Sequence, residues 1–142
     1  MLQKDYIMRL IQMFFEFLSK LLSRIEKGEF EKAEEEINHA YVDFLKQDAA
    51  FFYSISKENL SNDLIRKHNY TREHLEILSE LFNAEAELRF AKHQHKISKE
   101  FYEKSLILLR FVISESKTFS FDKEAKLKKL ETRIDEINSI IS

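Results

Sequence analysis

The residues of this chain best suited to chemistry are Glu36 and His39, at the Glu-x-x-His spacing of Glu36-Ile37-Asn38-His39, with Asp43 one turn further on. On a helix that spacing puts a carboxylate and an imidazole on one face, as in di-iron bundles. A di-metal site needs a second such pair and two more carboxylates, and no other His here follows a Glu by three. Glu36, His39 and Asp43 are therefore expected to form a solvated or locally hydrogen-bonded edge, with no metal. His93 and His95 lie two apart, which on a helix points them in different directions, so they read as loop histidines. Nucleophile elbows and phosphate-cradling loops need tight backbone turns, which a chain with one glycine cannot build. No catalytic residue and no cofactor are expected, and the chain reads as a non-enzyme.

The elements that position these residues are helices. The 142 residues fit one domain, with 13 Phe and 5 Tyr for a bulky core; one Gly and no Pro remove the usual punctuation of strands and hairpins. Lys and Arg number 23 against 25 Asp and Glu, a net charge of -2 that offers no field for nucleic acid. The absence of cysteine excludes disulfides and fits a reducing compartment. Lys4, Asp5, Arg9, Glu16, Lys20 and Arg24 interrupt the apolar N-terminal stretch, so it falls short of the roughly 20 residues that span a bilayer. The expectation is a soluble, cytoplasmic protein without membrane contact.

Periodicity predicts about six helices in antiparallel pairs. The first, near residues 3–26, has an apolar sector of roughly 200°, twice the stripe of an ordinary surface helix. It is therefore expected at the centre of the fold or shared with a second subunit. Gly28 closes it with a left-handed cap and opens a second helix near 29–46. Residues 48–56 are nearly continuous apolar residues, expected as a connector tucked into the core. A short helix near 57–67 follows, then Thr71 as the cap of a helix toward His93, and a partner near 97–116. Two hairpins result, near 3–46 and 71–117. In the last break, Ser120 or Asp122 caps while Phe119 and Phe121 anchor the turn. The helix near 120–141 has a narrow seam of Leu127, Leu130, Ile134, Ile137 and Ile141. That seam suits a capping helix, or a homodimer in which Lys126 faces Glu131 of a parallel partner.

Gly28, Phe30, Ala33, Ile37 and Ala40 resemble the turn and second helix of a tetratricopeptide repeat, where small residues let helices approach closely. Ala86, Ser98, Tyr102 and Ser105 resemble a degenerate second copy, with His93 or His95 where glycine would be expected. The opening Gln3-Lys4-Asp5-Tyr6-Ile7-Met8-Arg9-Leu10-Ile11 resembles that of an uncharacterised family of bacterial helical proteins that continue into similar degenerate repeats. This implies an all-α, repeat-like, right-handed stack over residues 1–142, with a non-catalytic role in protein binding.

The repeat resemblance also implies which positions line a concave face: Leu18, Leu22 and Ile25 in the first copy, corresponding to Asn83, Glu87 and Phe90 in the second. Such a groove suits an amphipathic helix or an extended peptide. The chain's own Phe51-Phe52-Tyr53-Ser54-Ile55 is the expected filler of its apolar half. A clamp for charged peptide tails would need several Lys, Arg and Asn residues here, and only Asn83 fits. The alternative function is a homo-oligomeric structural protein using the first helix or the C-terminal seam; metal-dependent chemistry at Glu36 and His39 comes third.

Overall fold

The computed structural model describes residues 2–141, with side chains from Lys4 onward; the side chain of Gln3 lies outside the described residues. Seven α-helices follow in order: α1 (Leu2–Glu26), α2 (Phe30–Leu45), α3 (Ala49–Tyr53), α4 (Leu60–His68), α5 (Arg72–Ala91), α6 (His95–Glu115) and α7 (Phe121–Ile141). A 3-10 turn at Lys57–Asn59 leads into α4, and no strand occurs among the described residues. The fold is all-helical, with α1 and α2, and then α5 and α6, packed as consecutive pairs.

The two hairpins turn in the same way. At Gly28 (φ 81°) the N–H donates to the Ile25 carbonyl at 3.1 Å, and the Glu29 N–H to Arg24 at 3.0 Å. From Gly28 to His93 is 65 residues; there the His93 N–H (φ 61°) donates to Phe90 at 3.0 Å and the Gln94 N–H to Arg89 at 2.8 Å. This is the helix-closing pattern in which a left-handed residue satisfies the last carbonyls. Side chains repeat it: Arg24 Nη1 donates to Glu29 Oε1 at 2.9 Å and Arg89 Nη1 to Gln94 Oε1 at 3.0 Å. At the same spacing Ala33, Ile37 and Ala40 of α2 match Ser98, Tyr102 and Ser105 of α6, and all six are buried.

Local signals fix the other boundaries. The Asp48 carboxylate accepts from the Phe51 N–H at 2.9 Å, making α3 a true helix rather than an irregular connector. Asn69 ends α4 in the left-handed region (φ 59°). Thr71 caps α5 reciprocally with His74: the hydroxyl accepts from the His74 N–H at 3.3 Å and the imidazole Nδ1 accepts from the Thr71 N–H at 3.1 Å. Ser120 caps α7 through the Lys123 N–H.

The central helix is α5, not α1. On α1 the buried stripe is Leu10, Phe14, Leu18, Leu21 and Ile25, while Tyr6 and Met13 of the wide apolar sector lie in water. Helix α5 buries Leu75, Ile77, Leu78, Leu81, Phe82, Ala84, Ala86 and Leu88 nearly all round and packs on α1, α2 and α6. The C-terminal seam is used inside the chain: Leu130 and Ile137 are buried with Ala86, Tyr102, Leu106 and Leu109, flanked by Leu127 and Ile134. Ile141 is exposed, and Phe119 and Phe121 do not anchor their turn in the core. No helix among the described residues is long and apolar enough to cross a membrane.

Candidate functional site

A groove of about 460 Å³ opens where α1, α5 and α7 meet, lined in part by Leu22, Ile25, Asn83, Glu87 and Phe90. Five of the six positions that the repeat resemblance implies therefore converge. The sixth, Leu18, is buried in the core. Sequence reasoning missed the third wall, in which α7 contributes Lys129 and Arg133. The Arg133 guanidinium stands 4.5 Å from the centre of the Phe90 ring and 3.4 Å from Glu87 Oε2. Beneath this pair the Tyr102 hydroxyl is buried; its loss of water, and then the nearby Glu87 charge, push its pKa well up.

The apolar seam lays α7 on α6, and its basic flank then faces α5. Lys123, Lys126 and Arg133 follow one another along α7 and meet Glu76, Glu80 and Glu87 of α5 at 3.8, 3.1 and 3.4 Å. Lys126 also stands 4.9 Å over the Phe15 ring of α1. The basic flank of α7 thus matches the acidic edge of α5, and Lys126 pairs within the chain. Glu131 pairs with Arg110 of α6 at 3.2 Å rather than with a lysine of another chain.

The segment expected to fill the groove lies elsewhere. Phe52 stacks on Tyr41 at 5.6 Å, Phe51 meets His68 edge-on at 4.8 Å, and Tyr53 meets Phe101 at 5.2 Å. Helix α3 packs between α2, α4 and α6 with Phe52 as its buried residue, leaving the apolar half of the groove to Leu22, Ile25, Phe90 and Ala91.

Of the residues weighed for chemistry, Glu36 is held by the guanidinium of Arg24, while His39 and Asp43 are exposed. No group of three or more His, Cys, Asp or Glu that could hold a metal ion occurs among the described residues. His93 and His95 do approach, with ring centres 6.0 Å apart, because His93 is the left-handed residue of the turn and His95 opens α6 just after it.

The most perturbed carboxylate is one that the sequence reading passed over. Glu85, in the middle of α5, is 2% exposed and accepts a hydrogen bond from the Tyr53 hydroxyl at 2.7 Å. Burial pushes its pKa up, while the Tyr53 hydrogen bond and Arg89, whose Nε lies 4.0 Å away, pull it back. Tyr41 and Tyr53 are both raised, first by burial and then by the Glu85 charge. A raised carboxylate is what a general acid needs, but this one meets no solvent and so no substrate; it joins α3 to α5. Its burial was signalled by the apolar residues surrounding it on every side of α5.

Searches with this chain match no protein-family model, no curated protein and no solved structure.

Proposed function

We propose that this protein is a non-catalytic interaction module of tetratricopeptide-like design, binding a protein or peptide in the groove between α1, α5 and α7. The observation that carries the reading is the convergence of Leu22 and Ile25 with Glu87 and Phe90, their counterparts 65 residues later, in one open groove. The matching turns at Gly28 and His93 support the repeat interpretation. An apolar strip of Leu22, Ile25, Phe90 and Ala91 runs beside charges of both signs, Glu26 and Glu87 against Lys129 and Arg133. That combination suits an amphipathic helix whose apolar face enters the groove and whose charged edge meets the rim.

The test is a mild cross-linked pull-down from the native host with two differently tagged copies and an Asn83→Arg/Glu87→Arg control. Melting and helicity of the control are measured first. A heterologous protein retained by wild type and lost with a folded control supports the groove. Recovery of nothing, or of only the second tagged copy, removes this reading.

A further inference from the structure

The ion pairs between α5 and α7 form a ladder with one rung missing. Glu80 pairs with Lys126 at 3.1 Å and Glu87 with Arg133 at 3.4 Å. Asn83 lies three residues after Glu80 and four before Glu87, and Lys129 holds the same place between Lys126 and Arg133. That register sets Lys129 opposite Asn83, an amide where its neighbours on α7 meet carboxylates. Among the described residues neither side chain has an ion pair or a hydrogen bond. An exposed lysine ordinarily needs no partner. This one stands on the wall of the groove, between two pairs that are already neutralised.

The groove has room for what would complete the rung. A depression of about 140 Å³ shares Leu22, Asn83, Lys129 and Arg133 with the wider one and continues it to Glu80, Lys126 and Leu130. From Glu80 to Ala91, α5 borders it for about 16 Å, three turns of a docked helix. The apolar strip lies on the α1 and α5 side and the lysine on the α7 side. Glu26 of α1 lines only the wider depression, so a carboxylate entering the groove is drawn toward Lys129 and repelled at the other end.

We propose that the partner is an acidic amphipathic helix, which supplies the missing carboxylate. Its apolar face, spaced i, i+4, i+7, lies on Leu22, Ile25, Phe90 and Ala91, and one acidic side chain on its flank enters between the Lys129 ammonium and the Asn83 amide. Both groups donate to the carboxylate, so the ladder is completed from outside the chain. The proposal rests on the groove being the binding surface and adds the chemistry of what enters it.

The probe is a displayed library of helical peptides, with Leu, Ile, Met or Phe at the apolar positions and Glu, Gln or Lys varied at the flanking ones. It is selected against the intact protein and against Lys129→Glu, whose helicity and melting are checked first; Lys129 is exposed, so this variant should fold. The expected result is Glu enriched at one flank position by wild type and Lys at that same position by Lys129→Glu, each peptide binding the mismatched protein about tenfold or more weakly. Asn83→Asp places a carboxylate of the same shape on α5 itself. It should pair with Lys129, leave melting unchanged or slightly raised, and weaken the Glu peptide about tenfold. Peptides that bind wild type and not Asn83→Arg/Glu87→Arg, yet show no preference for Glu at any flank position, overturn the acidic partner and leave the groove reading standing. A library that yields no binder, or only peptides that bind the double variant as well as wild type, removes the groove and this inference with it.

Discussion

The hairpins α1–α2 and α5–α6 share a turn but not a filling. In the first, Phe14 of α1 is buried among Phe15, Phe17 and Phe44, with ring centres 5.2 to 6.2 Å apart. The position 65 residues later is Ser79 of α5, whose hydroxyl donates to the Ser105 carbonyl at 2.8 Å, while the Ser105 hydroxyl donates to the Ser79 carbonyl at 2.7 Å. Ser98 adds a third such bond, to the Ala86 carbonyl at 2.7 Å. Hydroxyls that reach the opposite backbone require the two helices to lie close, whereas rings hold α1 and α2 together through side chains. The turn thus sets the antiparallel path, and the residue one helical span away sets how closely the helices run.

The most disruptive way to break this comparison is to give the second hairpin the filling of the first. Ser79→Phe puts a ring where two backbones nearly meet and removes the hydroxyl that donates to the Ser105 carbonyl; a loss of about 3 kcal/mol or outright unfolding is expected by denaturant titration. Stability within error of wild type would mean that the hydroxyl pair does not set the spacing.

A smaller effect tests the turns. Nothing lies within 4 Å of a Cβ built on Gly28, so Gly28→Ala isolates the backbone cost of its left-handed conformation, about 1 kcal/mol. His93 occupies that conformation already, and His93→Gly should gain about 0.5 kcal/mol. If both substitutions shift stability in the same direction, the turns are not equivalent.

The smallest difference is one of slope. Glu85 of α5 corresponds to Lys20 of α1, and the first is buried while the second is in water. Because the folded Glu85 carboxyl is raised above its ordinary 4.5, the native state holds its proton longer than the unfolded chain. Stability therefore falls as pH rises through that window, and the burden is complete only above the folded value. Glu85→Gln should show its least advantage over wild type below pH 4.5 and a growing one toward neutrality, read as melting temperature against pH. Lys20→Gln should change stability by less than about 0.5 kcal/mol at any pH. A Glu85→Gln difference that stays constant with pH would mean that burial does not govern this carboxyl.

Much of the local structure was legible in the sequence, because Gly28, Thr71 and the spacing of Ala33, Ile37 and Ala40 act on their own helices. The correspondence of Leu22 and Ile25 with Glu87 and Phe90 rests on the repeat resemblance and on no local signal of this kind. Periodicity reports which face of a helix avoids water but not what covers it. That is why α1 looked central, why Phe51 and Phe52 were assigned to the wrong cavity, and why the third wall of the groove went unseen. The apolar residues that flank Glu85 on α5, Leu81, Phe82, Ala84, Ala86 and Leu88, did hold the information that places it inside. Phe119 and Phe121 misled in the opposite sense, since the reasoning that buries aromatics in a core does not distinguish a turn anchor from a pair left outside.

Helix α5 packs on α1, α2 and α6, and it meets the basic flank of α7 through Glu76, Glu80 and Glu87. Its backbone amides can therefore reach solvent only after most neighbouring helices have separated, whereas those of α7 need only its seam on α6 and its ion pairs to α5 to yield. The molecule accordingly comes apart from its C-terminal end inward, and α5 is the last segment to surrender its protons to exchange.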